Sequence, residues 1–255
     1  NKFGVPLSLF NLKKNDAFGI FEIGMDKKGE IDYLSKIIKP DVGVITNISY
    51  AHIKNFKNIK QIALAKSEII KNIKDDGYLI LNRDDEFYNF HKKIGLRRNL
   101  KILSFSTKNK RATTNLDSIS QEKSKYKIYI NINKKKKYFY LNTFFENDLK
   151  NLLATITIIS IFKDIHELDE NIFYDHKVIN GRGDIVKVKL FKKLFYLVDE
   201  SYNSNPLSLK SALINFDMIK IDNSRKHLVL GDMLELGKYS KKLHIEIGKN
   251  INKTS

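Results

Sequence analysis

The chain has 255 residues and carries 46 Lys+Arg against 29 Asp+Glu, a formal net charge of +17 at pH 7. Hydrophobic residues make up 42% and aromatics 11%, enough to bury a core, which excludes a wholly disordered chain. The absence of Cys excludes a disulfide scaffold, a Cys-ligated zinc site and a cysteine nucleophile, and no apolar run approaches the ~18 residues of a membrane span.

Taken in chain order, the opening residues NKFGVPLSLF show neither an initiator Met nor the basic-then-apolar layout of a signal peptide, so a cytoplasmic location is expected. The abrupt start at Asn1, and the stop at Ser255 soon after an amphipathic stretch at 241–251, read as the cut ends of a fragment. Short apolar runs then alternate with helical patterns, the signature of an α/β fold with a mostly parallel sheet. Strands are expected at 17–24 (AFGIFEIG), 42–48 (VGVITNI), 78–82 (YLILN) and 102–106, with helices at about 29–38 and 59–74. Segments 126–132 and 138–143 alternate like the arms of a hairpin, which makes the Lys run 134–137 a solvated tip. A helix capped by Asn147 is expected to run to about residue 162. A second unit begins near Gly181-Arg182-Gly183, with strands at 185–190 and 194–199, a helix at 207–219, a strand at 227–230 and a last helix.

The pI near 9.6 suits a nucleic-acid binder and equally a Lys-rich enzyme. No zinc-finger spacing and no RNA-binding aromatic pattern accompany it. Ligands of open α/β sheets collect at the carboxyl ends of strands, so polar residues there are candidates. Glu22 closes an apolar run, and Thr46 and Asn47 close the next strand, with His52 five residues on. A lone His is more often structural than a ligand. At 100° per residue, Lys66 falls within roughly 20–40° of Ile59, Ile62 and Ile73 on the helix at 59–74, inside its apolar stripe. A lysine there either snorkels outward or has a chemical role. A carboxylate, an imidazole and a lysine on successive elements of one sheet suit a Mg2+ and phosphate site, provided the lysine carries CO2 as a carbamate and so presents oxygens to the metal.

Six ordered blocks, EIGMDKKGEI, ITNISYAHIKNF, IALAKSEI, GRG, VDESYNSNPLSL and LGDMLELG, resemble the Mur ligases of peptidoglycan synthesis. SYNSNP and LGDMLELG are most similar to members that add D-alanyl-D-alanine to UDP-MurNAc-tripeptide. The resemblance implies a truncated central ATP-binding domain over 1–182 and the start of a Rossmann-like carboxyl-terminal domain over 183–255. It implies an ATP-dependent amide ligase in which ATP phosphorylates the substrate carboxylate and the dipeptide amine attacks the acyl phosphate. By matched position, Glu22, His52 and a carbamylated Lys66 serve Mg2+. Asn147, Asn151, Arg182 and Glu200 serve ATP, while Asn1, Gly4, Ser201, Asn203 and Asn205 face the substrates. A monomer is expected, with no nucleic-acid or membrane partner. Three departures accompany the match. The Gly-rich phosphate loop and the amino-terminal UDP-binding domain lie outside this sequence, so the piece alone is expected to be inactive. Glu146 stands where the family usually has His, and Glu200 replaces the more common Asp. Folylpolyglutamate synthase, a basic nucleic-acid-binding module and a degenerate scaffold remain as alternatives.

Overall fold

The computed structural model describes residues 2–123, 125–142, 146–176, 180–219 and 225–251. After a short helix α1 (Gly4–Phe10) and a long irregular segment come α2 (Glu30–Ile38) and β1 (Val42–Ile45). Helices α3 (Ile59–Lys66) and α4 (Glu68–Asn72), β2 (Tyr78–Asn82), α5 (Tyr88–Arg97) and β3 (Lys101–Ser106) follow. Three further strands, β4 (Thr114–Glu122), β5 (Lys125–Ile132) and β6 (Lys135–Leu141), lead to α6 (Glu146–Ile159). The second unit holds β7 (Asp184–Leu190), β8 (Lys193–Asp199), α7 (Pro206–Met218) and α8 (Ser240–Ile251).

The six strands β1 to β6 form one sheet in sequence order. Pairing is parallel from β1 to β4 and antiparallel from β4 to β6. This α/β architecture with a mostly parallel core is the one the alternation of apolar runs and helices predicts. Both faces of β2 are covered, so its run is continuously apolar rather than alternating. Leu79 and Leu81 join the cluster built with α3 and α4, while Ile80 joins the cluster under α6. Gly43 sits where a Cβ would lie 2.5 Å from Ile73 Cδ1, so only glycine lets the end of α4 pack this closely on β1.

Five expectations are corrected. Residues 17–24 form no strand: no described strand pairs with them, and Ile20 is 95% exposed. The same holds for 227–230. A short apolar run makes a strand only where a neighbour offers partners for its N–H and C=O groups. The helix at 59–74 is broken at Ser67, whose hydroxyl donates to the Leu64 carbonyl at 2.6 Å, a side-chain bond that competes with the helical ladder. Helix α6 starts at Glu146, which puts Asn147 inside its first turn instead of at the cap. The lysine tip is smaller than expected. Only Asn133 and Lys134 turn, with φ of 47° and 69°, the two-residue geometry that suits the strand twist. Lys135, Lys136 and Lys137 belong to β6, and Lys137, 8% exposed at its side chain, pairs with Glu170. Strand β4 is an addition; its mixed polar sequence, TNLDSISQE, hides the period.

The second sheet is the two-stranded β7–β8 hairpin. Although the sheets are separate, Leu213, Met233, Leu236, Leu243 and Ile247 pack into the same cluster as Ile53 and Phe56.

Candidate functional site

The loop after β1 places His52 in the left-handed region, φ 57°, a conformation held by the 3-10 turn Ile53–Asn55 that follows. Its Nδ1 lies 3.0 Å from Asp26 Oδ1 and also contacts Glu235 Oε2. Asp26 comes from the irregular segment after Glu22, and Glu235 from the LGDMLELG block of the second unit. One ligand atom from each of the three residues lies within 4.8 Å of the others. His52 Nδ1 is a buried atom with no aligned hydrogen bond among the described residues. Two carboxylates around such a nitrogen make a donor set that fits a divalent cation. The sequence singles out His52 but not Asp26 or Glu235, although both lie inside the quoted blocks. Glu22 itself is exposed.

Lys66 ends α3 and reaches back to the loop after β1, where its Nζ donates to the Asn47 carbonyl at 2.8 Å. Burial pushes the amine below the ordinary lysine range, and the Asp85 carboxylate opposes this. His91, 2% exposed on α5, contacts the Ala63 carbonyl at 3.0 Å and props α3 from behind.

A second set gathers where the chain crosses between units. Gly181 donates to Asp184 at 2.7 Å and accepts from Tyr202 N–H at 3.0 Å. The exposed Arg182 guanidinium lies 4.6 Å from the Tyr202 ring centroid. Gly183 has φ +99°, and a Cβ there would sit 3.1 Å from Glu200 Oε1. Burial raises the Glu200 carboxyl, as do the charges of Asp148, Asp199 and Asp184, while Arg182 opposes. Burial likewise raises Asp148, in the first turn of α6. The chain thus brings Glu200 and Arg182 to the start of the helix that carries Asn147 and Asn151, the latter exposed. Ser201 N–H donates to Asp199 at 2.9 Å. Asn203 is exposed, and Gly4 is exposed at the start of α1. Asn205 caps α7: its Oδ1 accepts from the N–H of Leu207 and Ser208 at 3.0 and 3.1 Å. Asn1 lies outside the described residues.

Compared with known proteins, residues 1–159 match the family described as the Mur ligase middle domain. Over 256 residues the chain is 32% identical to the UDP-N-acetylmuramoyl-tripeptide–D-alanyl-D-alanine ligase of Rickettsia prowazekii, a match that covers 97% of this chain and 54% of that protein. Among solved structures, MurF from Acinetobacter baumannii superposes with a TM-score of 0.83 at 25% identity, covering 99% of this chain and 53% of that one. MurF ligase from Thermotoga maritima in complex with ADP superposes at 0.84 with 24% identity, covering 98% and 55%. The chain therefore spans about half the length of the relatives it matches. No described helix is long and apolar enough to cross a membrane.

Proposed function

Since the chain belongs to the Mur ligase family, we propose that it is the central part of an ATP-dependent ligase that adds D-alanyl-D-alanine to UDP-MurNAc-tripeptide. The observation that carries this reading is the likeness to D-alanyl-D-alanine ligases along nearly the whole chain, through both sheets. The protein would act in the cytoplasm as a monomer, in peptidoglycan synthesis, without nucleic acid or membrane as partner. Residues 1–182 would belong to the ATP-binding domain and 183–255 to the carboxyl-terminal domain.

In this reading one Mg2+ would be held by Glu22 and a second by His52 and a carbamylated Lys66, as the family pattern implies, with Asp26 and Glu235 beside His52. When bound, the metal would supply neutralisation of negative charge on the phosphates and the acyl oxygen. The chain's own residues bind and orient. Arg182 meets a phosphate from the crossing between units, and Glu200 with the Asn147–Asn151 turn of α6 takes the nucleoside. Gly4 and Asn1 on one side, and Ser201, Asn203 and Asn205 on the other, face the peptide substrates. The lowered pKa of Lys66 supports its modification, because only the neutral amine takes up CO2.

The test is a ligation assay on the complete protein that carries this chain, supplied with ATP, Mg2+ and UDP-MurNAc-tripeptide. Product and ADP should form with D-alanyl-D-alanine and not with single amino acids. ADP release with glutamate and a folate in place of these substrates would overturn the assignment.

A further inference from the structure

Beyond the residues that would touch substrate or metal, one pair of side chains shapes the backbone on which Lys66 rests. Parallel pairing of β1 with β2 ends at Ile45 and Leu81, and past that point the ladder no longer fixes the chain. The last residue of β2 and the turn after it take over. Asn82, 8% exposed, donates from Nδ2 to the Thr46 carbonyl at 3.1 Å. Its own Oδ1 accepts from Asp84 N–H at 2.9 Å, which holds the amide's orientation. Asp85 Oδ2 accepts from Ile48 N–H at 2.8 Å, while Oδ1 accepts from Phe87 N–H, also at 2.8 Å. The backbone is therefore held on both sides of Asn47. The carbonyl between the two holds receives Lys66 Nζ at 2.8 Å.

We propose that Asn82 and Asp85 are positioning residues of the ligase, acting through Lys66 by fixing the Thr46–Ile48 backbone that receives its side-chain nitrogen. Neither side chain touches substrate in this reading. Each replaces a hydrogen bond that a longer β1 ladder would have supplied, and does so from a side chain already locked by a second bond. Such preorganisation sets the place of a reacting group more than the affinity for substrate. The inference rests on the function proposed above.

The test uses the complete protein and a cycle of Asp85→Ala, Lys66→Ala and the double variant, with Asn82→Ala in parallel. Asp85→Ala and Asn82→Ala should lower kcat by about tenfold to a hundredfold with KM for ATP nearly unchanged. In the Lys66→Ala background, Asp85→Ala should cause little further loss, because both changes remove one function. Should Asp85→Ala not fold, Asp85→Asn, which keeps the shape and one acceptor oxygen, is judged by the same cycle. Wild-type kcat in the Asp85 variants while Lys66→Ala is inactive would overturn this inference and leave the ligase reading standing, as would losses that simply multiply. Full activity in Lys66→Ala would instead overturn the role of Lys66, and this inference with it.

Discussion

Lys54 and Glu235, 181 positions apart, are joined twice: Lys54 N–H donates to the Glu235 carbonyl and Lys54 Nζ to Glu235 Oε1, each at 2.9 Å. The same glutamate reaches His52, and nearby Tyr239 Oη donates to the Lys57 carbonyl at 2.7 Å. The loop after β1 is thereby clasped by the second unit. Because the clasp includes His52, the candidate cation site is complete only when the units are together.

A cycle of Lys54→Ala and Glu235→Ala measures the side-chain half of that clasp. Both groups are over a third exposed, so a coupling of only about 0.5–1 kcal/mol is expected, weakening with added salt. Urea unfolding at low and high salt checks it, and a coupling that ignored salt would contradict the exposed ion pair.

Changes at Lys66 separate charge from ligation. Lys66→Ala in the complete protein should remove most turnover, and a short carboxylate in the buffer should restore part of it by filling the vacated oxygen-ligand position. Lys66→Arg should not be rescued, since a guanidinium stays charged and repels a metal. Steady-state kcat with and without added carboxylate reads the result. Near-normal turnover of Lys66→Ala without it would show the lysine to be a packing residue.

Glu170 links stability to pH. Its hydrogen bond from the shielded Lys137 holds the carboxyl below the usual glutamate range. The folded pKa is depressed, so the stabilisation is present above the unfolded value, about 4.3, and is lost as pH falls through the folded one. Glu170→Gln should therefore lower the melting temperature at pH 7, with the gap to wild type closing in acid. Melting curves across that range check this, and a gap independent of pH would assign the effect to packing.

Asn205 tests a division between capping and substrate contact. Its side chain forms a capping box with Ser208, whose Oγ receives Asn205 N–H at 3.0 Å. Asn205→Ala should destabilise by about 1 kcal/mol, and Asn205→Asp by much less, since the carboxylate keeps the cap. Urea midpoints measure this. If Asn205→Asp preserves stability but loses turnover, the amide also serves the substrate.

The sequence alone determined the α/β class and most helices and strands, because their signals are local: β2 as a continuous apolar run, the two arms of the β5–β6 hairpin, the helical stretch at 207–219. It also carried the family, through blocks whose residue types are legible one by one. Which side chains meet was not legible. Glu22 was the carboxylate that ended an apolar run, yet Asp26 and Glu235 are the ones beside His52, brought there by an irregular segment and by a unit far along the chain. Residues 17–24 and 227–230 are short apolar runs without a described neighbour to pair with, and pairing is a tertiary property. Lys66 stood out by its position on an apolar stripe. Its acceptor, the Asn47 carbonyl, lies where Asn82 and Asp85 hold the backbone, contacts between segments that no single stretch of sequence encodes.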